Sequence, residues 1–71
     1  MEEYTVNGKP TFLNSQQVRY TADDGRDHTA VIRGLDGENA DLEVSIDGVS
    51  EHFEKVPYSA DRTANTWQHV D

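Results

Sequence analysis

The stretch ADLEVSIDGVSEHFEKV, residues 40–56, decides the fold of this chain. Up to position 46 its apolar residues alternate with polar ones, which is the period of a β-strand that buries one face and exposes the other to water. The apolar face consists of Ala40, Leu42, Val44 and Ile46. Asp47-Gly48 follows directly, and such dipeptides tolerate positive φ angles and favour tight hairpin turns. Residues 49–56 then predict a second strand, which ends before Pro57 because proline cannot donate a backbone hydrogen bond to a sheet.

The same turn signal recurs along the chain. Glycine follows asparagine or aspartate at Asn7-Gly8, Asp24-Gly25, Asp36-Gly37 and Asp47-Gly48. Between these turns, VRYT at 18–21 and HTAVIR at 28–33 have the alternating or β-branched composition of strands. Near the C-terminus, 59–65 predicts one helical turn capped by Ser59, and TWQHV at 66–70 predicts a closing strand. We therefore predict an all-β chain in which residues 17–71 form a small SH3-like barrel of about five short antiparallel strands, since closure removes exposed sheet edges.

Residues 1–16 precede this predicted barrel and form an N-terminal arm or hairpin. Asn7-Gly8 favours a hairpin, whereas Pro10 excludes a central position in a sheet. The arm has more apolar residues than a solvated tail needs, namely Tyr4, Val6, Phe12 and Leu13. We therefore expect the arm to lie on a neighbouring protein rather than to complete its own barrel.

The composition limits both the stability and the partners of the chain. With 71 residues and 34% hydrophobic content it can form one small domain with a marginal core, and it has no cysteine for disulfides or thiolate metal sites. Assembly with other proteins, or as a homo-oligomer, is a common remaining source of stability. The formal net charge of −8 disfavours nucleic acids and anionic membranes, because both attract basic surfaces. The acidity has two alternative explanations. It keeps the chain soluble, or it is an adaptation to high salt, since acidic surfaces are typical of proteins from salt-loving organisms.

No arrangement in the sequence is typical of catalysis or metal binding. The serines lie outside any G-x-S-x-G context, and the three histidines, His28, His52 and His69, do not have zinc-ligand spacing. The acidic segments 21–27 and 36–41 lack the register of a calcium-binding loop. We therefore expect no enzyme activity, no cofactor and no metal.

The single tryptophan, Trp67, lies close to the C-terminus, where chains usually fray unless something ties them down. We expect it to pack Pro57 and Tyr58 back onto the barrel as a closing clasp, whose outer edge is available for docking. The candidate partner-binding residues of the whole chain are Tyr4, Val6, Phe12, Leu13, Tyr58, Trp67 and His69.

Four short motifs occur in a consistent order: V-R-Y at 18–20, A-V-I at 30–32, V-P-Y at 56–58 and T-W-Q-H at 66–69. In this order they resemble a group of small, mostly uncharacterised proteins of tailed viruses and prophages, which typically carry V-H-Y, A-A-I-V, V-P-Y and a closing T-W-H-W-P. Val70 and Asp71 stand where those proteins have a second tryptophan and a proline. The resemblance implies a viral protein and, together with the acidic composition, a tailed virus of a salt-loving host.

These observations lead to hypotheses from two functional classes. The first is a non-enzymatic structural component of the virion, a small barrel that decorates the capsid or attaches to other head or tail proteins, and that passes through the host cytoplasm during assembly. The second is an acidic host-directed modulator made in the infected cell, which mimics the charge of DNA and occupies a host nuclease or polymerase. Its acidic face would begin with Asp41, Glu43 and Asp47.

Overall fold

The computed structural model describes residues 3–70, apart from the side chain of Glu3, and all regular structure in this range is β. The strands are β1 Glu3–Val6, β2 Lys9–Phe12, β3 Gln17–Thr21, β4 Asp27–Asp36, β5 Asn39–Ile46, β6 Val49–Val56 and β7 Thr66–His69. Strands β1 and β2 form the N-terminal hairpin, and the other five form the main sheet in the order β6-β5-β4-β3-β7, with antiparallel pairing throughout. The predicted all-β class is therefore confirmed. The described residues include no helix long and apolar enough to cross a membrane.

Local turn chemistry explains where the hairpins form. At Asn7-Gly8 and at Asp47-Gly48 both residues have positive φ angles, 52° and 80° in the first turn and 52° and 82° in the second. These angles belong to the two-residue turn whose twist matches that of the paired strands. The residues that flank each dipeptide lie opposite each other, so the hairpin predicted at Asp47-Gly48 is confirmed, and of the two alternatives for the N-terminal residues the structure has the hairpin.

The hydrophobic core lies on one face of the main sheet. Its members are Val6, Val18, Tyr20, Ala30, Ile32, Ala40, Leu42, Val44, Val56 and Trp67. The alternation predicted for β5 is confirmed, because Ala40, Leu42 and Val44 are each fully buried and Ile46 is half-buried at the end of the strand. In contrast, β6 is exposed over most of its length, and Val49 retains 60% exposure.

Two irregularities of strand pairing meet at Asp41 of β5. On one side Arg33 is an extra residue in β4, and on the other side two residues of β6, 54 and 55, lie opposite Asp41 alone. Oδ1 of Asp41 accepts the backbone N–H of Lys55 at 3.1 Å. Oδ2 lies where a Cβ atom on Gly34 would come within 3.0 Å, so the absence of a side chain at Gly34 makes room for the carboxylate. Because bulges bend strands and increase their twist, the main sheet bends at this point.

The chain that follows β6 reaches the opposite end of the main sheet. The N–H of Trp67 donates to the carbonyl of Pro57 and the N–H of Ser59 donates to the carbonyl of Trp67, each at 3.0 Å, and Tyr58 forms an isolated parallel bridge with Trp67. This segment links the two ends of the sheet, but the strands do not close into a barrel. The helical turn expected at 59–65 is not confirmed, because the described part of the chain contains no helix. Ser59 instead accepts the N–H of Asp61 at 3.3 Å in a turn.

The N-terminal hairpin packs against its own chain. Val6 is 2% exposed and belongs to the core, Thr11 is 0% exposed, and Leu13 packs against the same cluster. Our expectation that the arm does not complete its own fold is therefore wrong for the described residues 3–16, whereas its contact with a neighbouring protein stays a prediction. The physical reason is that an isolated two-stranded hairpin is only marginally stable, so its apolar face is buried against the nearest apolar surface.

Candidate functional site

Trp67 of β7 is fully buried and connects distant parts of the chain. The ring of Tyr58 meets it edge-on, with 4.9 Å between ring centroids and 83° between ring planes. Its indole Nε1 donates to the carbonyl oxygen of Glu38, in the turn between β4 and β5, at 3.1 Å. The predicted contact of Trp67 with Pro57 and Tyr58 is thus confirmed. The bond to Glu38 has no signal in the sequence, because it joins residues 29 positions apart.

His69, two positions after Trp67 on the same strand, ties the N-terminal hairpin to the main sheet. It is 8% exposed, and its Nε2 lies 3.2 Å from the carbonyl oxygen of Val6 and 3.4 Å from Oγ1 of Thr11. A carbonyl oxygen can only accept a hydrogen bond, so Nε2 carries the proton and donates it to Val6. The other ring nitrogen, Nδ1, is buried without a partner among the described residues. The ring is also packed against Tyr58 and Trp67, at centroid distances of 5.6 and 5.2 Å.

The structure divides the predicted partner-binding residues into two groups. Val6, Trp67 and His69 are buried, so they hold this fold together and are not available to another molecule. The half-buried residues are Tyr4, Phe12, Leu13 and Tyr58. The hydroxyl of Tyr58 accepts a hydrogen bond from Nδ2 of Asn7 at 3.3 Å, which fastens this tyrosine to the N-terminal hairpin.

The two faces of the N-terminal hairpin differ in what they contact. Tyr4 lies opposite Thr11, which is fully buried, so both belong to the face that packs against the main sheet. Phe12, Pro10 and Thr5 belong to the other face, because Thr5 is opposite Pro10 and Phe12 is two positions further along β2. We call these three residues the outer hairpin face. Thr5 and Pro10 are exposed there and Phe12 is half-buried.

A charged cluster around Asp27 joins the start of β4 to the loop before β7. Its Oδ1 accepts the hydroxyl of Thr21 at 3.1 Å, while Oδ2 pairs with Arg62 and lies 4.0 Å from Nε of Arg19. A shallow depression of about 220 Å³ beside the cluster is also bordered by His28. Sequence reasoning missed this cluster, because Arg62 and Asp27 are 35 positions apart and no motif links them.

Two of the carboxylates considered for an acidic face are engaged within the chain. Asp41 accepts the backbone N–H of Lys55 at 3.1 Å, and Glu43 pairs with Arg33. Arg33 also donates from Nη1 to Oδ1 of Asn14 at 3.1 Å, which connects β4 to the loop after the N-terminal hairpin. These carboxylates therefore support the bulges and the loop contacts of the main sheet.

Tyr20 of β3 is 5% exposed and stacks on Phe53 of β6, with 5.1 Å between ring centroids and 16° between ring planes. Its hydroxyl donates to Oδ1 of Asn65 at 3.1 Å. Burial, and to a smaller degree the carboxylate of Asp23, raises the pKa of the Tyr20 hydroxyl above its ordinary value. Tyr20 is therefore a neutral hydrogen-bond donor that packs in the core.

Possible metal ligands are dispersed in the described part of the chain. Residues 3–70 contain no group of three or more histidine, aspartate or glutamate side chains placed to hold a metal ion. Nε2 of His52 and Oε1 of Glu54 lie 3.9 Å apart on the exposed outer face of β6, and both side chains are more than half exposed.

Comparisons with known proteins add no family to these observations. The chain matches no known protein family, no curated protein and no solved structure.

Proposed function

We propose that this protein is a non-enzymatic structural component of a tailed-virus particle, a small module that attaches to head or tail proteins. The observation that carries this proposal is that side chains of the kinds used in catalysis and binding form hydrogen bonds or ion pairs within this chain. The groups that bond to another part of the same chain include His69, Asp27, Asp41, Glu43 and the indole of Trp67. Groups engaged in this way stabilise a fold. The ordered motifs, which resemble those of tailed-virus proteins, support the virus particle as the place where this fold is used.

The proposed shape of this module is an SH3-like barrel. Support comes from the two bulges at Asp41, which bend the main sheet, and from the parallel bridge between Tyr58 and Trp67, which brings the chain after β6 onto β7. The N-terminal hairpin adds Val6 to the same core. Residues 57–59 cover the outer edge of β7 in this way, which protects that edge against pairing with unrelated strands.

The outer hairpin face is the proposed contact with a neighbouring virion protein. It presents the half-buried ring of Phe12 beside the exposed Pro10 and Thr5. Aromatic residues are enriched at protein interfaces. The opposite face of the same hairpin is held through Val6 and His69, so the contact surface is ordered before binding and loses little conformational entropy in the complex.

The test is incorporation into particles assembled in the host, measured by quantitative mass spectrometry of purified virions. Thr5→Glu places a charge on the outer hairpin face, and Thr29→Glu places the same charge on an exposed threonine of β4. We expect many copies per particle for the parent and for Thr29→Glu. Thr5→Glu should reduce incorporation by about tenfold or more, because an unpaired charge buried in an interface costs several kcal/mol.

Absence of the parent protein from purified particles would contradict this proposal. That result would favour the second hypothesis, an acidic host-directed modulator, which is supported by the net charge of −8. Competition between the purified chain and DNA for a host nuclease or polymerase distinguishes the two, because only the modulator should displace DNA. Equal incorporation of Thr5→Glu and the parent would leave the protein in the virion but remove the outer hairpin face as its contact.

A further inference from the structure

Strand β6 is an end strand of the main sheet, and its outer edge has no backbone partner among residues 3–70. Its first part is exposed on both faces, from residue 49 to residue 52. Val49, in this exposed part, is the most exposed large hydrophobic residue of the described chain, at 60%. An uncovered strand edge of this kind is a template for pairing with a further strand.

The geometry of the preceding turn identifies the backbone groups on this edge. Ile46 and Val49 flank the two-residue turn, and residues in that position exchange both backbone hydrogen bonds with each other. Along an antiparallel strand, backbone groups point alternately to the two sides. The N–H of Lys55 donates to Asp41 of β5, so this alternation holds up to the bulge, and the N–H and C=O groups that point away from β5 are those of Ser50, His52 and Glu54.

The order of side chains in this segment favours pairing with a second, antiparallel copy of itself, because the reversed copy places acidic residues opposite basic ones or histidine. The order is Glu51, His52, Phe53, Glu54 and Lys55. When two copies pair antiparallel about a two-fold axis at Phe53, His52 of each copy faces Glu54 of the other, and both residues have outward-pointing backbone groups. The side chains of His52 and Glu54 are 55% and 72% exposed, so they can make this contact without rearrangement of the fold.

We propose that β6 pairs antiparallel with β6 of a second copy of this chain, with Phe53 at the two-fold axis and His52 opposite Glu54 of the second copy. Other registers with matching backbone groups are less favourable. An axis at Glu51 opposes two glutamates, and like charges that face each other destabilise a strand pair. An axis at His52 opposes two histidines, so neither ring faces a carboxylate. Charged residues on an edge exclude unrelated strands, and in this register they select the chain's own copy.

This inference goes beyond the proposed attachment to a particle and does not depend on it. Its surface is β6, at one end of the main sheet, whereas the proposed particle contact is the hairpin formed by β1 and β2. A dimer joined through β6 leaves the outer hairpin face open. The two proposals therefore fail independently, because each has its own variant and its own measurement.

The test is self-association of the purified chain, measured by analytical ultracentrifugation over a range of protein concentrations at low and high salt. Two chains of net charge −8 repel each other, and salt screens this repulsion, so we expect dimerisation to strengthen as the salt concentration rises. In His52→Glu, the new glutamate of each copy faces Glu54 of the other copy, so two pairs of like charges oppose each other and dimerisation should weaken by about tenfold. The double variant His52→Glu/Glu54→Lys restores opposite charges and should recover the association of the parent.

Thr29→Glu is the matched control, because it adds the same charge on the exposed face of β4 and away from the edge. It should leave the dimerisation constant within about twofold of the parent. Far-UV circular dichroism and Trp67 fluorescence verify that each variant is folded. A chain that stays monomeric at every concentration and salt level overturns the proposal. Equal weakening by His52→Glu and Thr29→Glu, or no recovery in the double variant, overturns it as well.

Discussion

Trp67→Ala removes a fully buried indole that contacts Tyr58, His69 and the turn at Glu38. Truncation of a large aromatic residue in a core costs about 3–5 kcal/mol. The lost hydrogen bond to the Glu38 carbonyl contributes about 1 kcal/mol of this, and each edge-on ring contact contributes about 0.5–1.5 kcal/mol. A folded domain of 71 residues has a total free energy of unfolding of about 4–11 kcal/mol. We therefore expect the variant to lose about half of its stability or more, and to unfold at a clearly lower urea concentration than the parent.

The assay is urea denaturation followed by far-UV circular dichroism, because the substitution removes the fluorescent reporter. Trp67→Phe keeps a ring in the cluster but loses the Nε1 donor, so its stability should fall between the parent and Trp67→Ala. Val70→Ala is the control, since Val70 follows β7 and is 46% exposed, and its effect should stay within about 0.5 kcal/mol. If Trp67→Ala unfolds at the same urea concentration as the parent, the indole does not hold the sheet ends together and the reasoning is refuted.

Three further predictions concern the hairpin, the bulge and the buried tyrosine. Val6→Ala should lower the free energy of unfolding by about 1–3 kcal/mol, because Val6 belongs to the core. Thr5→Ala, at an exposed position, should change it by less than about 0.5 kcal/mol. Equal effects of the two variants in urea denaturation would contradict the docking of the hairpin. Gly34→Ala should lower the free energy of unfolding by about 1–3 kcal/mol, since its Cβ would lie 3.0 Å from Oδ2 of Asp41. In a double-mutant cycle, the same substitution should cost less in an Asp41→Ala background, where the carboxylate is absent. Burial raises the pKa of Tyr20 in the folded state, so its contribution to stability is complete below the ordinary tyrosine pKa of about 10 and is lost as the pH rises through the folded-state value. Tyr20→Phe should therefore lose less stability than the parent between about pH 9 and 11 in chemical denaturation, and identical pH profiles would show that Tyr20 is not the group responsible.

Much of the fold could be predicted from the sequence because turns and strands depend on interactions over a few residues. Asn7-Gly8 and Asp47-Gly48 adopt the positive φ angles that these dipeptides tolerate, and the strands around them pair in the register that the turns impose. The alternation in β5 selects the buried face for the same local reason, since successive side chains of a strand point to opposite sides. The contact of Trp67 with Tyr58 could also be predicted, because a tryptophan near the end of the chain is expected to pack on nearby residues and Tyr58 follows a predicted strand.

The candidate site depended on contacts that no local pattern encodes. His69 bonds to Val6 across 63 positions, which makes the N-terminal hairpin part of this chain's own core and corrects the expectation of an external arm. The segment 59–65 has a composition compatible with a helical turn, but pairing of residues 57–59 with β7 and the pairing of Arg62 with Asp27 favour a path of separate turns instead. The sequence by itself determined the strands, the turns and the buried face of β5, since these follow from φ preferences and side-chain period. Only the tertiary structure decided which buried polar atoms meet, because hydrogen-bond partners such as His69 and Val6 are distant along the chain and become neighbours only when the sheet bends and the hairpin docks.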